Sequence, residues 1–324
     1  MKKQLLGLFL TILSAALLTG CAFGSAQSRL DSVFESLLAN STFHVVADLT
    51  ETSTTAGQGE QKAHFDGVVD LSDKNSIKAE GTLTTSGATV EPAMTAHFIL
   101  TDKTYIQFQN LNYPGSPFTI TPAIQSTYYV VDDSTLGDLL PGGAALGGTS
   151  TLSKDQKQQI QDAIKKAKPL TLVEKKGGEK IGKKYTSHYT AKLNSAELLQ
   201  LAITIKNIEG KPLDATAQQQ LQKQLDEAAA TPLDIWLGKF DGRPVKVQFA
   251  MTSNDTKSSG TVTVDQFNDK VSIKTPSDAK PFGELFNNLG TDLNQTTTPA
   301  VDLPNSADQA TLEQLQQELE KLTQ

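Results

Sequence analysis

The sequence holds one cysteine, Cys21, among its 324 residues, together with one tryptophan and four histidines. A single cysteine permits no internal disulfide and no metal site built on several thiolates. Basic residues are also in the minority, since 29 lysines and arginines stand against 36 aspartates and glutamates, for a net charge of −7. The sequence contains no basic stripe that could follow a phosphate backbone, which excludes nucleic acid as a partner.

Short motifs of catalysis and phosphate binding are lacking as well. No serine lies in a Gly-x-Ser-x-Gly turn, and the segment "PGGAALGG" lacks the lysine and the flanking strand of a phosphate-binding loop. The histidines lie inside strand patterns, without the HxH or HxxxH spacing of metal ligands. They are His44, His64, His97 and His188. We therefore predict that the protein is not an enzyme and has no catalytic residue, no metal and no cofactor apart from covalently attached lipid.

The N-terminal apolar run is too short to cross a membrane. It spans 14 residues from Leu5 to Leu18, whereas a membrane-spanning helix needs about 20. Two lysines precede the run, and small residues separate it from Cys21. A charged start, a short apolar run and a small-residue end are typical of an export signal that is removed.

The end of that run, "LTGC", resembles the lipobox of bacterial lipoproteins. The resemblance implies that residues 1–20 are cleaved, and that Cys21 becomes the first mature residue, carrying diacylglycerol and an N-acyl chain. Because two or more acyl chains make a stable anchor, we expect attachment to a bacterial cell membrane on its extracytoplasmic side. The alternative, a free cysteine behind an ordinary signal peptide, would leave an unpaired thiol on an exported protein.

Hydrophobic periodicity divides the rest of the chain. Apolar residues recur at helical spacing from Leu30 to Leu38, and strand-like alternation begins at Phe43. Later strand pairs are predicted around Asp241 and around Asn268. The predicted boundaries place the acylated tether at 21–29 and one α+β domain at 30–286. The domain consists of two halves, 30–132 and 169–286. A connector at 133–168 joins them and ends in a helix capped by Ser153.

The C-terminal part of the chain is predicted to be a linker followed by a helix. Residues 287–309 are rich in threonine, proline and asparagine, which is typical of a flexible linker. Over 310–324, four leucines recur at steps of three and four: Leu312, Leu315, Leu319 and Leu322. So short a helix does not persist alone in water, so it docks on its own body, docks on a protein partner, or frays.

Trp236 lies on the polar phase of the strand "LDIWLG". An aromatic residue there either packs under a covering helix or borders a binding cleft.

Two C-terminal segments resemble the mycobacterial LppX and LprG lipoprotein family. "PLDIWLGKFDGRPVKVQF" has the order of a strand with an aromatic residue, an Asp-Gly turn and a returning strand, and "VSIKTPSDAKPF" has the closing strand that ends in proline. The lipobox at Cys21, the helix from Leu30 and the strands from Phe43 occur in the matching order. The resemblance implies a strongly curved antiparallel sheet, similar to an unclosed barrel, with helices covering its concave face as in the LolA and LolB carriers.

The same resemblance implies an apolar cavity that holds the acyl chains of a lipid or another amphiphile. Its lining on the apolar phase of the strands is predicted to include Phe65, Val69, Leu83, Phe98, Val247 and Phe249. The leading hypothesis is a membrane-anchored lipoprotein that binds, carries or presents a lipid without catalysis. The alternative is a structural or assembly lipoprotein that docks an envelope protein, with the C-terminal helix as a possible contact.

Overall fold

A computed structural model describes residues 25–53, 59–73, 76–87, 90–111, 120–131, 152–253 and 256–285. The predicted signal segment, the start of the tether, most of the connector before Ser153, and the C-terminal linker and helix lie outside these residues. The helices are α1 (Ala26–Asp31), α2 (Val33–Leu38), α3 (Pro122–Gln125), α4 (Lys154–Lys166), α5 (Ser195–Ile208) and α6 (Ala215–Ala229). The strands are β1 (Thr42–Ser53), β2 (Glu60–Asp73), β3 (Ser76–Gly87), β4 (Val90–Leu100), β5 (Thr104–Leu111), β6 (Tyr129–Val131), β7 (Leu170–Ile181), β8 (Lys184–Leu193), β9 (Leu233–Gly238), β10 (Pro244–Ser253), β11 (Thr256–Asp265) and β12 (Lys280–Pro281).

All twelve strands belong to one sheet in the order β12-β6-β5-β4-β3-β2-β1-β11-β10-β9-β8-β7. Neighbours pair antiparallel except for β12, which runs parallel to β6. The sheet is curved but does not close into a barrel, and β12 and β7 form its two edges. The two predicted halves meet where β1 pairs with β11. The predicted α+β class with a large, open antiparallel sheet is confirmed.

Side-chain alternation along β1 defines the two faces of the sheet. Phe43, Val45, Ala47 and Leu49 are at most 5% exposed, because successive side chains of a strand point to opposite faces and these four point toward the helices. We call this the inner face. Residues that pair directly share a face, so Phe65, opposite Ala47, also lies on the inner face. The opposite, outer face carries the polar phase of the strands.

The larger core cluster lies between the helices and the inner face of β1 and β8–β11. Leu30, Val33 and Leu37 of α1 and α2 are fully buried there. Apolar residues of α4, α5 and α6, including Ile164 and Leu198, pack against the same cluster. The helical layer therefore covers the half of the sheet that ends at β7.

Two smaller clusters lie at the β12 end. On the inner face, Ile124 of α3, Phe282 and Leu285 pack with residues of β4, β5 and β6. On the outer face, Ile273 packs with Ile99 and Tyr105. None of α1, α2, α4, α5 and α6 contributes a residue to these clusters.

The first predicted helix is divided in two at Ser32. Its hydroxyl donates a hydrogen bond to the Arg29 carbonyl at 3.1 Å, which competes with regular helical bonding. The apolar spacing survives the break, since Leu30 and Leu37 on either side are both buried. The predicted helix after Ser153 is confirmed, with Ser153 and Gln156 forming a reciprocal capping box.

Of the strand pair predicted around Asn268, the first strand is present as β11, but the second is wrong because residues 269–279 form no strand. β11 already pairs with β1 on one side and β10 on the other, so no edge is open to a returning hairpin strand. Instead, Asn268 turns the chain onto β1, where its side-chain oxygen accepts a bond from the Ser41 amide at 2.8 Å. Residues 269–279 then cross the outer face to β6, and Thr275 donates to Thr101 on the way at 3.2 Å.

Val247→Asp tests the assignment of the two faces. Val247 is 6% exposed within the larger cluster, so an unpaired carboxylate there should lower the free energy of unfolding by about 3 kcal/mol or more. Ala250 lies on the outer phase of the same strand and is exposed. Ala250→Asp should change it by less than about 0.5 kcal/mol. Urea denaturation measures both, and equal losses would contradict the assignment.

Candidate functional site

Four of the six predicted lining residues lie together on the inner face. Phe65 of β2 pairs with Leu83 of β3, and Val69 lies four residues further along β2. Phe98 of β4 pairs with Gly81 of β3. We call the surface formed by Phe65, Val69, Leu83 and Phe98 the inner strip.

The inner strip lies between the two inner-face clusters. Phe65 and Val69 contact the larger cluster, and Phe98 contacts the cluster beside α3. Leu83 is 9% exposed, and the other three side chains are half-buried. Every inner-facing residue of β2 and β3 from 63 to 71 and from 77 to 85 is uncharged, whereas Asp66, Asp70 and Glu80 fall on the outer phase. The strip is an apolar surface with room for further contacts.

The remaining two predicted residues lie elsewhere on the inner face. Val247 and Phe249 are 6% and 7% exposed and belong to the larger cluster beneath the helices. They share the face of the inner strip, since Val247 pairs with Val262 and Val262 with Ala47. The structure brings four of the six predicted residues into one half-covered surface and places these two in the covered core.

Paired glycines let the Phe65 ring lie down along the sheet. Gly67 and Gly81 face each other across β2 and β3. A Cβ atom added to either glycine would lie 2.7 Å from Cζ of the Phe65 ring, so the ring fills the space that two side chains would otherwise occupy. Phe249 covers Gly260 in the same way, with ring atoms 2.4 Å from the Cβ position. Because the rings occupy the Cβ positions of glycines, they pack close to the backbone of the sheet.

Gly81→Ala tests this arrangement. The new methyl group would collide with the Phe65 ring and with the Asp66 carbonyl oxygen at 2.8 Å, so we expect a loss of about 1–3 kcal/mol in the free energy of unfolding. Gly87 of the same strand has no atom within 4 Å of its Cβ position. Gly87→Ala is the matched control and should be neutral or slightly stabilising. Equal thermal midpoints for both variants would contradict the packing of the ring.

Two buried hydroxyl groups on the inner face lack a hydrogen-bond partner among the described residues. One is the phenol of Tyr129, a residue that is fully buried beside Ile106, and the other is the hydroxyl of Thr85. Both side chains share the face of the inner strip, because Tyr129 pairs with Ile106 and Thr85 pairs with Ala63. An unsatisfied buried hydroxyl costs about 1–3 kcal/mol. No sequence pattern marks these groups, since both lie on an apolar phase.

The outer face holds a charge network that the sequence analysis missed. His44 lies between two carboxylates, with Nε2 at 2.8 Å from Asp66 and Nδ1 at 2.9 Å from Asp265. Because both ring nitrogens face carboxylates, the arrangement favours the doubly protonated ring. Burial acts against that charge, but the hydrogen bonds to Asp66 and Asp265 raise the pKa of His44 above its ordinary value. The signal was present in the sequence as aspartates on the outer phase, whereas the partners depend on strand order.

The raised pKa of His44 predicts a pH-dependent contribution to stability. The contribution is complete below about pH 6.5, the ordinary pKa, and is lost as pH rises through the raised folded-state pKa. His44→Gln should therefore lower the free energy of unfolding by about 0.5 kcal/mol more at pH 6 than at pH 9. Asp265→Asn, which removes one carboxylate, should reduce the same pH dependence. A pH-independent effect of His44→Gln would refute the charged state of His44 between Asp66 and Asp265.

Trp236 lies on the outer face, as its polar phase predicted, within a second network. Its ring stacks on His188 at 4.1 Å between centroids, and the Lys246 ammonium lies 4.7 Å from the ring centre. The indole nitrogen donates to the Glu179 carboxylate. Side chains of the sheet itself, rather than a helix, surround the tryptophan, and they leave it 6% exposed. This network is a packed part of the outer face.

Neither network forms a metal centre. Among the described residues, no group of three histidine, cysteine, aspartate or glutamate side chains could hold a metal ion. In that same part of the chain, no helix has the length and apolar character needed to span a membrane. The inner strip is the candidate functional site because it is an uncharged, incompletely covered surface formed by four of the predicted lining residues.

Comparisons with known proteins agree with the predicted resemblance. No protein-family model and no curated protein matches the sequence. Similar solved structures include LprF from Mycobacterium bovis, 13% identical with a TM-score of 0.42 over 79% of this chain and 99% of that chain. LppX from Mycobacterium tuberculosis is also 13% identical, with a TM-score of 0.38 over 77% and 97%. A lipoprotein-sorting protein domain from Vibrio parahaemolyticus is 9% identical, with a TM-score of 0.23 over 71% and 87%. At these TM-scores and identities, the similarities carry no argument about the function of this chain.

Proposed function

We propose that this protein is a lipid-anchored, extracytoplasmic lipoprotein that binds the acyl part of a lipid or another amphiphile on the inner strip. It holds or presents this ligand without catalysis. The observation that carries the proposal is the half-buried, uncharged surface of Phe65, Val69, Leu83 and Phe98 between two packed clusters.

The chemistry of the strip selects an apolar ligand. Each methylene group moved from water onto such a surface contributes about 0.8 kcal/mol, so a chain of about ten methylenes supplies several kcal/mol even when only partly covered. Charged groups of β2 and β3 lie on the other face, and a charged headgroup would therefore remain outside the strip. The Phe65 ring rests on Gly67 and Gly81, so it adds an aromatic surface close to the sheet.

The anchor places this site at the cell envelope. Acylation of Cys21 would hold the folded domain on the extracytoplasmic side of the membrane from which its ligand is drawn. A ligand-holding domain needs no catalytic group. The folded unit in this proposal begins with α1 at Ala26, because Gln27 donates to the Leu170 carbonyl of β7, so residues 26–29 of the predicted tether belong to the folded unit. Residues 287–324 are an appended linker and helix in the same proposal.

Native mass spectrometry of the chain from Ala22 onward, produced in a bacterial host that supplies lipids, tests the proposal. We expect a fraction of the protein to carry a lipid mass. Phe98→Gln replaces an aromatic ring of the strip by a polar amide and should lower the retained lipid about five- to thirty-fold, since about 1–2 kcal/mol of apolar contact is lost.

Thr84→Gln is the matched control, because Thr84 lies on the outer phase of β3 beside Leu83. It should retain lipid as the parent does, and the thermal midpoint verifies that both variants are folded. A lipid-free parent protein that instead recovers an envelope protein would refute lipid binding and favour an assembly lipoprotein.

A further inference from the structure

Exposed apolar side chains are few, and most of them gather at one end of the sheet. Among the described residues, the large apolar side chains classed as exposed are Ile77, Val173, Tyr185 and Phe240, at 42%, 54%, 59% and 82%. Tyr185 is the second residue of β8, Phe240 lies in the turn after β9, and Ile77 is the second residue of β3. The antiparallel order places all three at the sheet end where β1 begins. Val173 lies several residues into β7, away from that end.

The turn that carries Phe240 is held rigidly. The Gly242 amide donates to the Gly238 carbonyl at 2.9 Å, and the Gly238 amide donates to the Arg243 carbonyl at 2.7 Å. Gly242 has a φ of +68°, which a residue without a Cβ adopts readily. Asp241 folds back over Gly238, where its carboxylate accepts from the Arg243 amide at 3.1 Å. The acidic group therefore points into the turn, and Phe240 is left at its tip.

Both backbone groups of the preceding residue, Lys239, are bonded to neighbouring elements. Its amide donates to the Tyr185 carbonyl at 2.8 Å, and its carbonyl accepts from the Arg29 guanidinium at 3.2 Å. Arg29 belongs to α1, which begins five residues after Cys21. Since a chain spans at most about 3.5 Å per residue, acylation of Cys21 would keep α1, and the turn bonded to it, close to the bilayer.

Basic side chains lie at the sheet end that carries Tyr185 and Phe240, although the protein as a whole is acidic. Lys180 lies 5.7 Å from the Tyr185 ring centre. Lys184 and Arg243 both lie over the Phe267 ring, at 4.9 and 5.0 Å. With Lys183, Lys239 and Arg29 they place six basic residues at this end of the sheet, where Arg243 Nε also lies 3.7 Å from the Asp241 carboxylate. Amphipathic groups of this kind, an aromatic tip within basic residues, match an interface of acyl chains and anionic headgroups.

We propose that the Phe240 turn is a second membrane contact, in which the Phe240 ring inserts between the headgroups of an anionic bilayer and the surrounding lysines and arginines lie on its surface. This contact rests on the acylated Cys21 of the proposed function. It fixes the orientation of the domain on the membrane, because one lipid anchor on a short tether would leave the domain free to rotate.

A fluorescent probe at position 240 tests the contact on the mature, acylated protein. Phe240→Cys introduces the one free thiol once Cys21 is acylated, and it is labelled with a nitrobenzoxadiazole dye after reconstitution into vesicles of phosphatidylglycerol and phosphatidylcholine. We expect a blue-shifted emission and at least a two-fold loss of intensity with lipids that carry a nitroxide near the headgroup. Lys239→Glu in the same background should reduce this quenching.

Val173→Cys is the matched control, because Val173 is also exposed but lies away from the turn. Its dye should keep the emission seen in water. An aqueous spectrum at position 240 in anchored protein would overturn the proposal, as would a blue shift that requires other envelope proteins rather than lipid. Failure of the anchor is recognised separately, because unsubstituted protein would then take up dye at Cys21 and lack the acyl mass.

Discussion

The pairing of β1 with β11 is the constraint on which the rest of the structure depends. It joins strands that lie about two hundred residues apart in the sequence, over ten consecutive residue pairs from His44 and Asp265 to Ser53 and Thr256. Without it, the two halves would be separate sheets with exposed edges. Because both edges of β11 are occupied, the chain after Asp265 must leave the sheet and cross the outer face.

The same pairing sets the balance between covered and uncovered parts of the inner face. Helices α1 and α2 precede β1, α4 precedes β7, and α5 and α6 connect β8 to β9, so the helical layer lies over β1 and β8–β11. The strands β2–β4 receive less cover, and the inner strip lies there. Glycines at 67, 81 and 260 let the rings of Phe65 and Phe249 pack closely against this face, which keeps it apolar.

The two faces of the sheet differ in the interactions that their side chains make. The inner face supplies apolar packing and the strip on which we place the ligand, whereas the outer face neutralises its charges in pairs, as His44 does between Asp66 and Asp265. The sheet end where β1 begins combines a rigid aromatic tip at Phe240 with basic residues. In our two proposals, the ligand surface and the membrane contact lie on the same sheet.

Local patterns in the sequence determined much of the fold, because alternation with a period of two and helical spacing act within a few residues. They predicted which phase of β1–β3 is buried, the cap at Ser153 and the outer position of Trp236. Tertiary structure alone decided which strands are neighbours. It therefore decided that residues 269–279 form no strand, that Val247 and Phe249 are buried in the larger cluster while Phe65 and Phe98 are half-buried, and that aspartates from two other strands flank His44. Strand pairing and the packing of helices on the sheet bring together residues that are far apart in the chain. The pattern within a short segment therefore does not identify these partners.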